Sequence, residues 1–466
     1  MFSIVLFFHK ITALFFCYIF GVFGGFLFEI PNGLKLPRLW FSSTQYFFKP
    51  WFKKIKMPSF LGIVLAGIIL NNLPNDPLYY LDKDWVNNIR LIALITIIYR
   101  IGLGLDISAI SLKYKSILIL ALFPNITEAI FCAFIAMLFF HLYPIFAFSL
   151  GFIASGASTA VLVPILVSLQ EGSYGIEKGI PSVLLASSAI DNIFSIIMYN
   201  LIGTIGLSEM SMFYEGTTFL VLKAFLGIIL GCLLGLVLGM GSSYLGQFSG
   251  KVICGLTLFF AYFQVFFLNH FGFRGTGFLS VLLFILISSN YWPAKKKKKV
   301  SKIARKIWDV LRYFLFVLIG TSIDLRELEP KVLGFSFIIV IICTAVRMIC
   351  CFLSFPDSDK LTVKERFYAA FVWISKASLQ AALGSSIYYE ATIHELKPEV
   401  VKQGMIISYI CVVYIVTTAP LGAILMAWFG QKWLKKCQGK EGEIVNIEIL
   451  EQERKATQEI EETRGE

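Results

Sequence analysis

Residues 150–170 read LGFIASGASTAVLVPILVSLQ, an apolar segment with small and polar residues at its centre. About 20 apolar residues in a helix cross the hydrocarbon core of a bilayer. The cluster of Ser155, Gly156, Ser158 and Thr159 favours an unwound backbone at that depth. Unwound backbone within a membrane is tolerated only where protein packs around it or where it lines a cavity. The segment therefore predicts a broken helix inside a helical membrane protein.

A second segment, FVWISKASLQAALGSSIYY at residues 371–389, changes character in the same way. Paired broken helices in two halves of a chain mark an ion or substrate site in secondary transporters. Close packing of helices through small residues is the alternative explanation for either segment alone. The presence of two such segments in one chain favours a transport site over packing alone.

The composition places the whole chain in a membrane. Hydrophobic residues make up 57% of the 466 residues and charged residues only 15%, which excludes an ordinary soluble domain. The fold class predicted is an all-α polytopic membrane protein with about 13 transmembrane helices. The predicted spans begin near residues 3, 58, 86, 116, 144, 179, 216, 251, 276, 306, 332, 365 and 404.

The basic residues of the predicted loops lie on one side of the membrane, and Lys and Arg are enriched in short loops on the cytoplasmic side. We predict a multi-pass protein of the plasma or an organelle membrane, with the N-terminus outside or lumenal and the C-terminus cytoplasmic. The net charge of +11 does not indicate nucleic-acid binding, because the basic run at 294–306 reads as a loop that contacts lipid headgroups. Three regions are predicted: a first span with a basic cytoplasmic loop (1–57), a transmembrane domain (58–430) and a charged cytoplasmic tail (431–466).

Few ionisable residues lie at membrane depth, where each costs at least about 2.5–3.5 kcal/mol unless it is paired or hydrated. They are Glu128, Asp191 beside Asn192, Arg347 and Lys376. Each alone could be a structural ion pair or a snorkelling side chain. Two acids and two bases on separate spans together indicate a shared polar site. The sequence has no Walker loop, metal-binding Cys/His cluster or nucleophile elbow, so we expect neither an enzyme nor a resident cofactor.

Two triplets of spans surround the broken segments, the fourth to sixth and the eleventh to thirteenth. An offset of seven spans makes the triplets run in opposite senses, which is an inverted repeat. The core of the domain is then expected around residues 116–206 and 332–430, with scaffold helices elsewhere.

Five stretches resemble the animal NHA type of sodium/proton exchanger, in the cation/proton antiporter superfamily. They occur in the family's order, and the resemblance covers roughly residues 58–430. They are RIGLGLD (100–106), LVPILVSLQEGSYGIEKGIPSVLLASSAIDNI (162–193), FLFVLIGTSI (314–323), WISKASLQAALGS (373–385) and TTAPLGAIL (417–425).

This resemblance implies a homodimer with two crossed broken helices in a mobile core, transporting Na⁺ or Li⁺ against H⁺. It implies a cation and proton site at Asp191 and Asn192, completed by Ser158 and Thr159 in the first break. It also assigns Glu128, Arg347 and Lys376 as charge partners. The family usually has a second aspartate at the position of Asn192 and often a proline at that of Thr159.

The asparagine leaves two interpretations open. In one, Asp191 is the single titrating carboxylate, and Asn192 adds only an oxygen ligand, since an amide cannot ionise. In the other, Arg347 neutralises Asp191, and the protein is a transport-impaired scaffold or regulatory subunit. The sequence does not decide whether Arg347 pairs with Asp191 or with Glu128. An intramembrane aspartyl protease is disfavoured, because GLGLD at 102–106 lacks the expected glycine-aspartate motif.

Overall fold

The computed structural model describes residues 59–73, 83–104, 113–209, 217–273, 276–323, 329–356 and 361–436. These residues form helices joined by short connections. The helices are α1 Ser59–Asn71, α2 Lys83–Gly104, α3 Tyr114–Phe140, α4 Pro144–Ser155, α5 Thr159–Glu171, α6 Ile180–Glu209, α7 Thr217–Ser242, α8 Gly250–His270, α9 Thr276–Asn290, α10 Ala294–Gly320, α11 Pro330–Leu353, α12 Val363–Val372, α13 Ser378–Leu383, α14 Ser386–Ile393 and α15 Pro398–Trp433.

The helices confirm a helical, multi-pass membrane protein. Seven candidate spans are long and apolar enough to cross a bilayer among the described residues. The predicted first span and nearly all of the charged tail lie outside those residues, so the count of thirteen and the orientation of the termini stay predictions. From residue 58 onward, the predicted starts lie close to observed helix starts, except those near residues 306 and 404, whose helices begin earlier, at Ala294 and Pro398.

The basic run is helical, so its prediction as a loop is wrong. Helix α10 begins at Ala294 and contains every lysine of the basic run, from Lys295 to Lys306. Val300, Ala304 and Trp308 lie buried along one face of the helix, while Lys298 and Lys302 are exposed. The apolar residues recur at helical spacing and pack against the protein, which lets the charged residues remain in solvent within a continuous helix.

Both segments that predicted broken helices are interrupted. Helix α4 ends at Ser155 and α5 begins at Thr159, so the first interruption covers 156–158. Helix α12 ends at Val372 and α13 begins at Ser378, so the second covers 373–377. The amide nitrogen of Ser158 donates to the carbonyl of Ser375 at 2.8 Å, which brings the two interruptions into contact. Around them, α3 packs on α4, α6 and α11, and α15 packs on α11 and α12.

Helices α1 and α10 approach each other at two glycines. A Cβ atom on Gly67 would overlap the carbonyl oxygen of Val317, and one on Gly320 would lie 2.9 Å from the Cα of Gly67. Small residues permit such close contact between membrane helices, where van der Waals packing drives association. The pair of glycines therefore sets the distance between α1 and α10.

Gly67→Ala is expected to destabilise the protein by about 1–3 kcal/mol, because overpacking forces the helices apart. Gly334→Ala is the matched control, since a Cβ on Gly334 meets no heavy atom within 4 Å. The measurement is the melting temperature of the two purified variants in detergent. Equal melting temperatures for both would show that the contact between α1 and α10 does not limit stability.

Candidate functional site: a buried charge cluster at two helix interruptions

Three long helices and one interruption bring the predicted charged residues together. Glu128 comes from α3, Asp191 from α6 and Arg347 from α11, while Lys376 lies in the break between α12 and α13. All four side chains are fully buried. Each would be costly alone at this depth, so the stability of the cluster depends on the pairing among them.

Asp191 accepts hydrogen bonds at both carboxylate oxygens. Its Oδ1 accepts from Arg347 Nη2 at 2.5 Å and from Asn125 Nδ2 at 2.8 Å. Its Oδ2 accepts from the backbone amide of Ala157 at 2.9 Å. Three donors thus surround this carboxylate, and the hydrogen bond from the guanidinium is charge-assisted.

The arginine contacts both acids, which answers the pairing question that the sequence left open. Arg347 Nη1 lies 3.3 Å from Glu128 Oε2, while its Nη2 bonds Asp191. Glu128 Oε2 also accepts from Lys376 Nζ at 2.8 Å. The four charges thus form a chain in the order Asp191, Arg347, Glu128, Lys376. The guanidinium also lies over the ring of Trp373, 4.9 Å from its centroid, a cation–π contact.

Two of the four charges, Asp191 and Lys376, each contact a helix end of opposite polarity. The backbone amides at the start of a helix are unpaired and carry partial positive charge, and the carbonyls at its end carry partial negative charge. Asp191 accepts from the Ala157 amide just before α5, and Lys376 Nζ donates to the Ser155 carbonyl at the end of α4 at 2.5 Å. The interruption in the first broken segment therefore fixes both an acid and a base.

Backbone carbonyls at the end of α4 and in this interruption accept hydrogen bonds from two side chains. Gln380 Nε2 donates to the carbonyls of Ile153 at 2.8 Å and Gly156 at 2.9 Å. Together with Lys376 on Ser155, this side chain covers the end of α4. Gln380 lies on α13, within the second segment that predicted a broken helix.

Two of the other predicted ligands keep an oxygen atom available. Asn192 is 4% exposed, and its Nδ2 donates to the Ser188 carbonyl of its own helix at 2.8 Å, which leaves Oδ1 directed towards Gly156. The Oγ of Ser158 is buried without a hydrogen-bond partner. Thr159 is half-buried at the start of α5.

Hard monovalent ions bind oxygen atoms, and this site offers one carboxylate, an amide oxygen and hydroxyls. Within the described residues, no group of three or more His, Cys, Asp or Glu side chains is placed to hold a metal ion. Carboxylate, amide and hydroxyl oxygens are the ligand type that hard cations prefer.

Sequence reasoning missed Asn125 and Ser195. Asn125 is the first residue of an Asn-Ile-Thr glycosylation sequon. Its complete burial rules out glycosylation at this position. The signal available was a polar amide one helical turn from Glu128, on the same face of α3.

A family model described as "Sodium/hydrogen exchanger, transmembrane" matches residues 43–429. The chain is 33% identical to human sodium/hydrogen exchanger 9B2 over 397 residues, which is 83% of this chain and 72% of that protein. It is 31% identical to the mouse 9B2 exchanger over 94% of this chain and 76% of that protein. Human sodium/hydrogen exchanger 9B1 is 30% identical over 82% and 73%, respectively.

The fold is similar to that of the sodium proton antiporter MjNhaP1 from Methanocaldococcus jannaschii, whose structure was solved at pH 8. The TM-score is 0.66 at 16% identity, over 91% of this chain and 99% of that chain. The residues matched by the family model, 43–429, include all four members of the charge cluster. The chain therefore belongs to the sodium/hydrogen exchanger family.

Proposed function

We propose that this protein exchanges Na⁺ or Li⁺ for H⁺ across a membrane by alternating access, with Asp191 as the titrating ligand. One observation carries the proposal: a buried carboxylate accepts a hydrogen bond from the first helix interruption, which also contains the unpaired Ser158 Oγ and lies against Asn192 Oδ1. The names of the relatives and of the structural neighbour support monovalent cations and protons as substrates.

Arg347 provides a route by which Asp191 can be freed. A proton or a cation that binds Asp191 neutralises its carboxylate, which then attracts the Arg347 guanidinium less strongly. Either ligand can therefore replace the guanidinium at Asp191. Glu128 is already 3.3 Å from the same guanidinium, so Arg347 keeps an acidic partner, which it shares with Lys376, when it leaves Asp191. Either ligand then adds one positive charge to the site. Because a proton and a monovalent cation add the same charge, 1:1, electroneutral exchange is favoured.

The proposed architecture supplies the movement. We infer that α3–α6 and α11–α15 are inverted repeats and that their broken helices cross at the contact between Ser158 and Ser375. In this arrangement the core moves against a scaffold of the remaining helices in a homodimer. Lipid surrounds the exposed apolar faces, such as those bearing Phe134, Leu138 and Val237.

Cation-dependent stabilisation of purified protein tests the proposal. A ligand that binds only the folded protein raises stability by about 2.7 kcal/mol at 100 times its dissociation constant. We expect the melting temperature in detergent to rise with NaCl or LiCl but not with choline chloride. The increase should be absent in Asp191→Asn. Equal melting temperatures in all three salts would contradict cation binding.

The charge cluster also favours a second candidate function, a transport-impaired scaffold or regulatory subunit. Asp191 already has three donors, and Asn192 contributes no charge to attract a cation. For this candidate, the salts would have no effect on the wild type, while an active exchanger would co-purify with it. Restoring the second acid by Asn192→Asp would then make the melting temperature depend on Na⁺.

A further inference from the structure

A cavity of about 330 Å³ lies where α2, α8 and α9 meet α6, α13 and α14, away from the charge cluster. In the proposed architecture the first three helices belong to the scaffold and the other three to the core. The volume falls in the range of small-molecule sites, about 300–1,000 Å³. The wall combines polar side chains with apolar ones, among them Asn87, Arg90 and Asn269, and Leu94, Phe278 and Leu383.

Arg90 borders this cavity as a buried cation with few partners. Its side chain is 1% exposed, and its Nη2 donates to the Leu318 carbonyl near the end of α10 at 2.6 Å. The guanidinium lies over the ring of Tyr389, 4.4 Å from the centroid. Its Nε and Nη1 have no hydrogen-bond partner among the described residues. These two nitrogens carry three of the five N–H groups of a guanidinium.

The described part of the chain gives Arg90 no acidic partner, unlike Arg347, which contacts two acids. Glu390 also lines the cavity, but its carboxylate accepts from Asn87 Nδ2 at 2.8 Å and lies 3.4 Å from His394 Nε2. A buried charge without a counter-charge is costly. An anion placed in the cavity beside Arg90 would balance this charge and accept charge-assisted hydrogen bonds from it.

The walls and the opening of the cavity indicate the kind of anion. Asn88 and Phe266 line the cavity and are exposed, so the opening joins a polar and an apolar surface. Phe266 continues into an exposed apolar face of α8 that includes Phe263 and Phe267. A bare inorganic anion would leave the apolar wall in contact with water, whereas an anion with an apolar body would cover it.

We propose that this cavity binds a small amphipathic anion, with its acidic head group on Arg90 and its apolar body against Leu94, Phe278 and Leu383. The bound anion would contact α2 and α9 of the scaffold and α13 of the core. It therefore holds the two parts together and inhibits exchange. The inhibition rests on the proposed function, whereas the binding does not. Soluble sulfonates or carboxylates and anionic lipid head groups share this chemistry.

Binding of p-toluenesulfonate to purified protein in detergent tests the site. This anion stays charged at neutral pH, and p-toluenesulfonamide has nearly the same shape without the charge. With choline as counterion, we expect the melting temperature of the wild type to rise with the sulfonate and not with the sulfonamide. Arg90→Gln should weaken binding by about ten- to hundredfold, the size of one lost hydrogen bond to a charged group. Lys302→Gln removes an exposed lysine of α10 and should bind like the wild type.

Exchange in proteoliposomes tests the inhibition. The sulfonate should slow cation/proton exchange by the wild type and by Lys302→Gln, and Arg90→Gln should lose this sensitivity. Nanodiscs of phosphatidylcholine, with and without phosphatidylglycerol, distinguish the natural occupants. Weaker sulfonate binding in the presence of phosphatidylglycerol would identify a lipid head group in the cavity, and unchanged binding would identify a soluble anion.

A photoreactive aryl sulfonate serves if Arg90→Gln fails to fold, because it needs only the wild type. Cross-links should fall on cavity residues of α2, α9 or α13 and should disappear with excess p-toluenesulfonate. Cross-links elsewhere, or equal affinity for the sulfonate and the sulfonamide, would overturn the inference. Sulfonate binding that depends on Arg90, with no exchange by the wild type, would support the anion site and contradict the proposed exchange instead.

Discussion

Asp191→Asn is expected to reduce cation/proton exchange to the background of protein-free vesicles. The amide can accept neither a proton nor the charge of a cation, so both substrates lose their common ligand. Arg347 keeps Glu128 as a partner, but Glu128 then faces two cations, and the site holds one uncompensated positive charge. Removing one partner of a buried pair costs about 3–5 kcal/mol, so we also expect a lower melting temperature.

Asp309→Asn is the control for loss of an acid outside the site. Asp309 lies on α10 beside Arg312, and its side chain is 49% exposed. Its removal should change neither exchange nor stability measurably, since exposed pairs contribute little. Exchange by Asp191→Asn at the rate of Asp309→Asn would show that another group carries the proton.

Lys376→Met is expected to destabilise the protein by about 3–5 kcal/mol, because it leaves Glu128 and Asp191 to share a single cation. The unbranched thioether has nearly the length of the lysine stem, so the loss reports charge rather than volume. The Ser155 carbonyl also loses its donor. The measurement is the shift in melting temperature at neutral pH.

The double variant Glu128→Gln with Lys376→Met restores the balance, since Asp191 and Arg347 then remain as one pair. A buried pair replaced as a unit is often neutral in stability. The double variant should therefore melt closer to the wild type than Lys376→Met does. A double variant less stable than both single variants would show that the two residues do not act as a pair.

The sequence was sufficient for those features that depend on local signals. Clusters of serine and glycine within apolar runs located both interruptions, because such residues neither extend a helix strongly nor resist unwinding. Charged side chains are costly at membrane depth, so the few present in the spans predicted a shared site. These residues are Glu128, Asp191, Arg347 and Lys376, and the fold brings them together. The resemblance to sodium/proton exchangers was confirmed by the family model and by the relatives.

Features that depend on packing between distant helices could not be predicted. Arg347 contacts two acids because α3, α6 and α11 come together in the fold. The sequence of a single helix does not show which other helices it will contact. Asn125 becomes a partner of Asp191 only when α3 faces α6 in one rotation. The lysine run was misread because its density suggested a loop, whereas the buried positions Val300 and Ala304 hold it in a helix.

The most direct test of cation/proton exchange with Asn192 in place is made on purified wild-type protein in liposomes that contain a pH-sensitive dye. Addition of external Na⁺ or Li⁺ should make the interior alkaline, as entering cations drive protons out. The rate should be the same when the membrane potential is clamped at zero, if exchange is 1:1. A wild type indistinguishable from empty liposomes, beside an Asn192→Asp variant that makes the interior alkaline, would contradict the account and show that the asparagine has silenced the exchanger.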